Sequence, residues 1–119
     1  MSEPTVFISY SHHDEAEKNA LLAHLGVLQR AGLIDVWSDD RIGLGSDSQM
    51  EINRAIDRAR VAILLISANF LNSEKLEQEV PRLLERRRGE GLVVFPIIAK
   101  QCAWRKVAWL APIVRPRDE

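Results

Sequence analysis

Three hydroxyl-bearing residues, Ser9, Tyr10 and Ser11, end and follow the apolar run that starts at Thr5. The run has apolar side chains at both odd and even positions, which is typical of a strand covered on both faces in a parallel sheet. In such sheets ligands bind beyond the carboxyl ends of the strands, near the point where the strand order reverses. The sequence therefore predicts that a functional site lies beside these three residues.

Several common kinds of site are absent from the sequence. It has no glycine-rich loop of either common phosphate-binding type, and no histidine and cysteine set at metal-ligand spacing. We therefore expect no metal site. The isolated residues His12, His13 and His24 are interpreted as surface residues, and Cys102 as a small buried hydrophobe.

The composition indicates a single folded domain of 119 residues. Hydrophobic residues make up 46% and charged residues 28%, which argues against disorder. A formal net charge of −1 gives no electrostatic reason to expect nucleic acid or a membrane surface as the main partner. With one cysteine, no signal-peptide pattern and no apolar run of membrane-spanning length, the sequence predicts a cytoplasmic protein.

The elements that would position this site alternate between strands and helices. Periodicity and capping patterns predict strands after the first at Leu33–Trp37, Val61–Ile66 and Leu92–Ile98, and helices at Asp14–Arg30, from Ser46 or Ser48 onward, and after Asn72 or Ser73. This alternation predicts an α/β protein with a doubly wound parallel sheet and right-handed crossovers.

Two prolines and a run of arginines give further information about the last helix and the last strand. Pro81 falls inside the apolar stripe of the last helix, where a proline removes a hydrogen bond and kinks the chain. Either the regular helix begins close to Pro81, or it bends there. Pro96 indicates that the last strand has an outer position or an irregularity. The run Arg86–Arg88 is interpreted as a solvated helix end.

Four segments occur in an order and at spacings that match a known family: Val6–Asp14, Trp37–Gly45, Ile63–Ser73 and Pro96–Trp104. The first two resemble the first box and the second box with its BB loop of the bacterial type of TIR (Toll/interleukin-1 receptor) domain. The third resembles the strand and turn before the family's catalytic helix. The fourth resembles its late strand and Cys-x-Trp element.

The resemblance implies a flavodoxin-like fold with strand order 2-1-3-4-5 and helices on both faces. It implies an NAD+ glycohydrolase that yields nicotinamide and ADP-ribose or cyclic ADP-ribose, with NAD+ as substrate and no further cofactor. It also implies activation by TIR–TIR self-association through the BB loop, Arg41 to Ser48. We expect a bacterial immune effector acting in antiviral defence, controlled by a sensor domain outside this chain.

The family's essential glutamate lies six positions after the serine of the turn, and Glu79 stands six positions after Ser73. The resemblance therefore makes Glu79 the catalytic residue. On a continuous helix, Glu79 would lie at the margin of the apolar stripe and could face a cleft. The resemblance also places Ser11, Arg41, Gly45, Tyr10 and Asp39 around the pocket. We expect Ser9 there because it ends the first strand, and Trp104 as a surface on which a substrate ring stacks.

Two departures from the family pattern favour a different function. Lys75 and Ser48 stand where many members have aromatic residues, so surfaces that stack on the substrate's rings are missing. A non-catalytic module that binds other TIR domains is therefore the alternative, and from the residues alone Glu79 is a solvated helix charge. A phosphorelay receiver is disfavoured because the first strand lacks a following acidic pair.

Overall fold

The computed structural model describes residues 5–38, 48–100, 102 and 106–110. Strands and helices alternate through these residues as predicted. In chain order the elements are β1 (Thr5–Ser9), a 3₁₀ turn (His12–Asp14), α1 (Glu15–Arg30), β2 (Asp35–Trp37), α2 (Ser48–Arg58), β3 (Ala59–Ile66), α3 (Ala68–Leu71), α4 (Lys75–Gln78), α5 (Val80–Glu90) and β4 (Val93–Ile98).

The four strands form one parallel sheet with the order β2-β1-β3-β4. The strand order reverses at β1, which lies between β2 and β3, so the carboxyl end of β1 is at the topological switch point. This arrangement confirms the doubly wound, flavodoxin-like sheet. The fifth strand of the predicted order is not among the described residues.

The alternation of side chains along β1 divides the core into two layers. Val6, Ile8 and Tyr10 pack in the layer that includes the apolar side chains of α1, such as Leu21. Phe7 points the other way, where its ring stacks on Trp37 with 5.3 Å between ring centroids. Residues of α2 and α5 belong to the same layer as Phe7. Helices therefore cover both faces of the sheet.

The first helix begins and ends at the residues that the sequence indicates, within one position. Ser11 caps the 3₁₀ turn that precedes α1, because its side-chain oxygen accepts a hydrogen bond from the backbone N–H of His13 at 3.2 Å. Gly32 follows the last turn with a φ of +76°, a conformation in which glycine has no steric penalty. Its N–H donates to the carbonyl of Gln29.

Pro81 marks the start of a helix. The helical chain stops at Gln78 and resumes at Val80, and Pro81 lies in the first turn of α5, where its missing N–H would have no intrahelical acceptor. The first of the two alternatives is therefore right. The expectation of a continuous helix through Glu79 is wrong, because Glu79 occupies the break between α4 and α5.

The segments after β3 and within β4 also refine the sequence prediction. The connection after β3 contains a short helix, α3, whose N–H at Phe70 donates to the side chain of Ser67. Within the described residues, β4 pairs with β3 on one side only, and Pro96 lies opposite Leu64 in that pairing. Among the described strands, Pro96 therefore lies on the outermost one.

Candidate active site

Ser9 and Glu79 meet at the carboxyl end of β1. The hydroxyl of Ser9 donates a hydrogen bond to Oε1 of Glu79 at 2.6 Å. Ser9 is 1% exposed and Glu79 is fully buried. A carboxylate with no exposed surface is rare in proteins unless hydrogen bonds compensate for its lost hydration. The two residues, 70 positions apart, are therefore brought together by the fold.

Two features of the sequence produce this contact. Strand alternation turns Ser9 toward the face covered by α5, since Phe7 lies on that face and Tyr10 on the other. The break before Pro81 leaves Glu79 in front of α5, where its carbonyl accepts the N–H of Leu83 as α5 begins. The interpretation of Glu79 as a solvated helix charge is therefore wrong.

A cleft of about 250 Å³ is lined by residues that follow Ser9 and precede Glu79 in the sequence. One wall follows β1 and the other precedes Glu79, so the pair is adjacent in sequence to both walls. We call these the first wall (Ser11, His12, His13) and the second wall (Ser73, Glu74, Gln78), and together they line the cleft. Ser11 thus lines this cleft, and its role at a substrate pocket stays a prediction.

Tyr10 lies on the opposite face of β1 from Ser9 and Glu79. It is 1% exposed, and the Nζ atom of Lys18 is 5.3 Å from the centroid of its ring. The edge of its ring also approaches His12, with 5.8 Å between ring centroids. Tyr10 therefore contacts His12, which lines the cleft.

Asp14 forms a second buried polar cluster at this edge of the sheet. Its carboxylate is fully buried and accepts hydrogen bonds from three side chains: Ser67, Asn69 at 3.1 Å and Lys100 at 2.9 Å. Burial by itself would raise the pKa of Asp14, but the hydrogen bonds from Ser67, Lys100 and Asn69 and the positive charge of Lys100 outweigh it, so the pKa lies below its usual value.

The sequence did not reveal the Asp14 cluster. Asp14 was assigned only as the first residue of a helix, and its partners lie 53, 55 and 86 positions away. A polar residue after each of several neighbouring strands is the signal that could have suggested it, because the carboxyl ends of parallel strands lie at one edge.

Other predicted pocket residues lie outside the described part of the chain: Asp39, Arg41, Gly45 and Trp104. The same holds for most of the BB loop and for the side chains of Ser48 and Lys75. Among the residues that are described, no group of three histidine, cysteine or acidic side chains could hold a metal ion. None of the helices there is both long and apolar enough to span a bilayer.

With this geometry established, comparison with known proteins decides the family. The TIR domain pattern matches residues 6–116, which is nearly the whole chain. The chain belongs to the TIR domain family.

The bacterial relatives are longer proteins. The TIR chain is 37% identical over 116 residues to an uncharacterized protein of Sinorhizobium fredii, covering 97% of this chain and 36% of that protein. It is 28% identical over 104 residues to an NAD(+) hydrolase, PdTIR, of Paracoccus denitrificans, covering 87% of this chain and 32% of that protein. The chain thus spans about a third of each relative's length.

Plant proteins share the same domain. A disease resistance-like protein of Arabidopsis thaliana is 31% identical over 83% of this chain and 8% of its own length. Among solved structures, the TIR domains of the activated Roq1 resistosome superpose with a TM-score of 0.62 at 26% identity. That match covers 79% of this chain and 56% of the Roq1 chain, and it supports the flavodoxin-like fold.

Proposed function

We propose that this TIR domain hydrolyses NAD+ at the bond between nicotinamide and ribose, with Glu79 as the catalytic carboxylate. The observation that carries the proposal is the buried Glu79 side chain, held by Ser9 beside a cleft at the switch point of the sheet. The relationship to an NAD(+) hydrolase of Paracoccus denitrificans supports the same reaction.

The reaction makes modest demands on the protein. Nicotinamide bound to ribose carries a positive charge and leaves as a neutral molecule, so no acid is needed to protonate it. The bond between C1′ and the ring nitrogen breaks with both electrons going to nicotinamide. The transition state then resembles an oxocarbenium ion, as in glycoside hydrolysis. Water adds its oxygen to C1′ and releases a proton, which gives ADP-ribose.

Glu79 would act on the developing positive charge of the ribose. A carboxylate that is already oriented stabilises such a charge without reorganising in the transition state. Ser9 supplies the orientation, because its hydroxyl fixes one oxygen of Glu79. If an adenine nitrogen replaces water as the nucleophile, the same step gives cyclic ADP-ribose.

Access of NAD+ to Glu79 requires a rearrangement at the cleft. In the structure Glu79 has no exposed surface, so the carboxylate cannot touch a substrate until a neighbouring segment moves. We propose that TIR–TIR assembly through the BB loop, Arg41 to Ser48, supplies this movement, and that a sensor domain of a longer protein controls the assembly. The proposed role is that of a cytoplasmic immune effector in bacterial antiviral defence.

The complete burial of Glu79 also favours a second candidate function. A buried carboxylate hydrogen-bonded to Ser9 can serve as a structural link between β1 and α5. The domain would then be a non-catalytic module that binds other TIR domains. The departures at Lys75 and Ser48 point in the same direction.

The test is nicotinamide release by the domain fused to a coiled-coil oligomeriser. Glu79→Gln keeps the size of the side chain and removes its negative charge. Glu77→Gln is the matched control, because Glu77 is two positions earlier and exposed. The proposal predicts that Glu77→Gln behaves as the wild type and that Glu79→Gln is inactive. An inactive wild-type fusion that still binds TIR domains would support the second candidate function.

A further inference from the structure

We propose that Asp14 and Lys100 position the two walls of the cleft relative to each other. The Asp14 carboxylate is the point at which segments after β1, β3 and β4 meet. The positioning of the two walls by Asp14 and Lys100 does not depend on catalysis. Its kinetic consequence rests on the proposed NAD+ hydrolysis.

Asp14 fixes the first wall through the 3₁₀ turn. Its backbone N–H donates to the carbonyl of Ser11 at 2.8 Å, and the N–H of His13 donates to the hydroxyl oxygen of Ser11 at 3.2 Å. The turn is therefore closed on itself, and its last residue is the buried one. A shift of the Asp14 carboxylate would carry His12 and His13 with it.

Asp14 holds the second wall through α3. Ser67, which donates to the Asp14 carboxylate, also caps α3 by accepting the N–H of Phe70 at 3.0 Å. At the other end of α3, the hydroxyl of Ser73 donates to the carbonyl of Phe70 at 2.7 Å. An unbroken path of hydrogen bonds therefore joins Asp14 to the first residue of the second wall.

Lys100 provides the charge that balances buried Asp14. Its ammonium lies 2.9 Å from the carboxylate and 3.8 Å from Glu17 of α1. The backbone N–H groups of Ala99 and Lys100 both donate to the carbonyl of Ile66, which anchors this segment to the end of β3. A buried carboxylate that loses its cation is left uncompensated, so the contacts around Asp14 would rearrange.

The position of Lys100 makes the inference testable without destroying the core. The Lys100 side chain is 45% exposed, so its replacement leaves no large cavity. Arg82 offers a matched control, because its side chain is 43% exposed and it pairs with Asp57 at 2.8 Å on the outside of α5. Both variants remove one cation from a short ion pair.

The experiment compares Lys100→Met with Arg82→Met by NMR of the histidine rings. We expect Lys100→Met to shift the signals of His12 and His13 and to leave His24, which lies in the middle of α1, unchanged. Arg82→Met should move none of the three. Asn69→Ala removes a donor to Asp14 at an exposed position and should shift the same two signals if Lys100→Met fails to fold.

Nicotinamide release adds a second readout. Per folded molecule, we expect turnover to fall about tenfold in Lys100→Met, with partial rescue in Lys100→Arg, since a small displacement of groups at a site has effects of at least this size. Unchanged His12 and His13 signals in folded Lys100→Met would overturn the inference, as would wild-type turnover. If the wild type itself releases no nicotinamide, the proposed function fails and the histidine signals alone decide this inference.

Discussion

The Ser9 hydroxyl helps to keep the Glu79 carboxyl group in place inside the protein. The Glu79 side chain is out of contact with water, and Ser9 is a donor that replaces part of its hydration. The same hydrogen bond fixes the direction of the carboxylate. For these residues, the stability of the domain and the proposed catalysis therefore rest on the same contact.

Ser9→Ala tests whether the hydrogen bond to Glu79 stabilises the fold. Removing the donor leaves a buried charged acceptor with one partner fewer, which we expect to lower the free energy of unfolding by about 1–3 kcal/mol. Urea unfolding followed by circular dichroism measures it. Ser73→Ala, which removes a hydroxyl bonded to a backbone carbonyl, is the control and should cost less. Equal losses of unfolding free energy in the two variants would show that the Ser9–Glu79 hydrogen bond stabilises the domain no more than the bond from Ser73 to a backbone carbonyl does.

Asp14 makes the stability of the domain depend on pH in a predictable direction. Its pKa in the folded protein is below the usual value of 3.8, because the hydrogen bonds and the charge of Lys100 outweigh desolvation. The stability contributed by this group is therefore complete above pH 3.8 and is lost as the pH falls through the lower, folded-state pKa.

The free energy of unfolding should therefore fall less at acid pH in Asp14→Asn than in the wild type. We expect the wild type to lose more unfolding free energy than Asp14→Asn when the pH is lowered from about 5 to 2, because only the wild type must protonate this carboxylate. Urea midpoints at each pH measure the difference, with Asp57→Asn as an exposed control. Parallel profiles for the wild type and Asp14→Asn would contradict the assignment.

Helix ends are the elements that organise the Glu79 side of the sheet. α5 begins directly after Glu79, and its carboxyl-terminal half is anchored to the end of α2. The guanidinium of Arg86 donates to the carbonyl oxygens of Ile56 and Ala59, at the junction of α2 and β3, and its Nε donates to Glu90 at 2.9 Å. Arg86 therefore bridges two elements. The interpretation of Arg86–Arg88 as a solvated helix end is wrong for Arg86, whereas Arg87 and Arg88 are exposed.

Arg86→Met should destabilise the domain more than Arg87→Met does. The variant leaves two carbonyl groups without their charged donor, at a cost of about 1–3 kcal/mol of unfolding free energy. Arg87→Met is the control, because Arg87 is exposed on the same helix. Thermal unfolding of both variants measures the difference. A loss in Arg87→Met as large as that in Arg86→Met would indicate a general effect of charge on α5.

Elements that depend on neighbouring residues were predictable, and contacts between distant residues were not. The buried strand at Val61–Ile66 and the stop at Gly32 follow from local pattern and local backbone conformation. The contact between Ser9 and Glu79, by contrast, joins residues 70 positions apart. No local pattern carries that information.

The whole domain presents its candidate site at one edge of a parallel sheet. The carboxyl ends of β1, β3 and β4 lie there, and the residues that follow them supply the Asp14 cluster. The second cluster joins the last residue of β1, Ser9, to Glu79 in front of α5. The two clusters differ in chemistry, since the Asp14 carboxylate has a lysine partner and Glu79 has a serine donor. At this scale, the Asp14 cluster joins the loops and the Glu79 cluster stands beside the cleft.

Burial of Glu79 in the single domain predicts a dependence on assembly. If association of domains opens the cleft, nicotinamide release per molecule should rise with protein concentration, because the fraction of associated domains rises. A titration of the isolated domain, with dilution of an oligomerised fusion as reference, measures this effect. Constant nicotinamide release per molecule across the concentration range would contradict a dependence on assembly.

Single-turnover nicotinamide release is the direct test of the proposed action of Glu79 on the ribose of NAD+. With enzyme in excess and the oligomerised fusion, release depends on the chemical step and not on departure of the product. Glu79→Gln should slow release by about a hundredfold to a thousandfold, the order expected for loss of a charge-stabilising group, while Glu77→Gln should match the wild type. Equal rates for the wild type and Glu79→Gln would contradict that action.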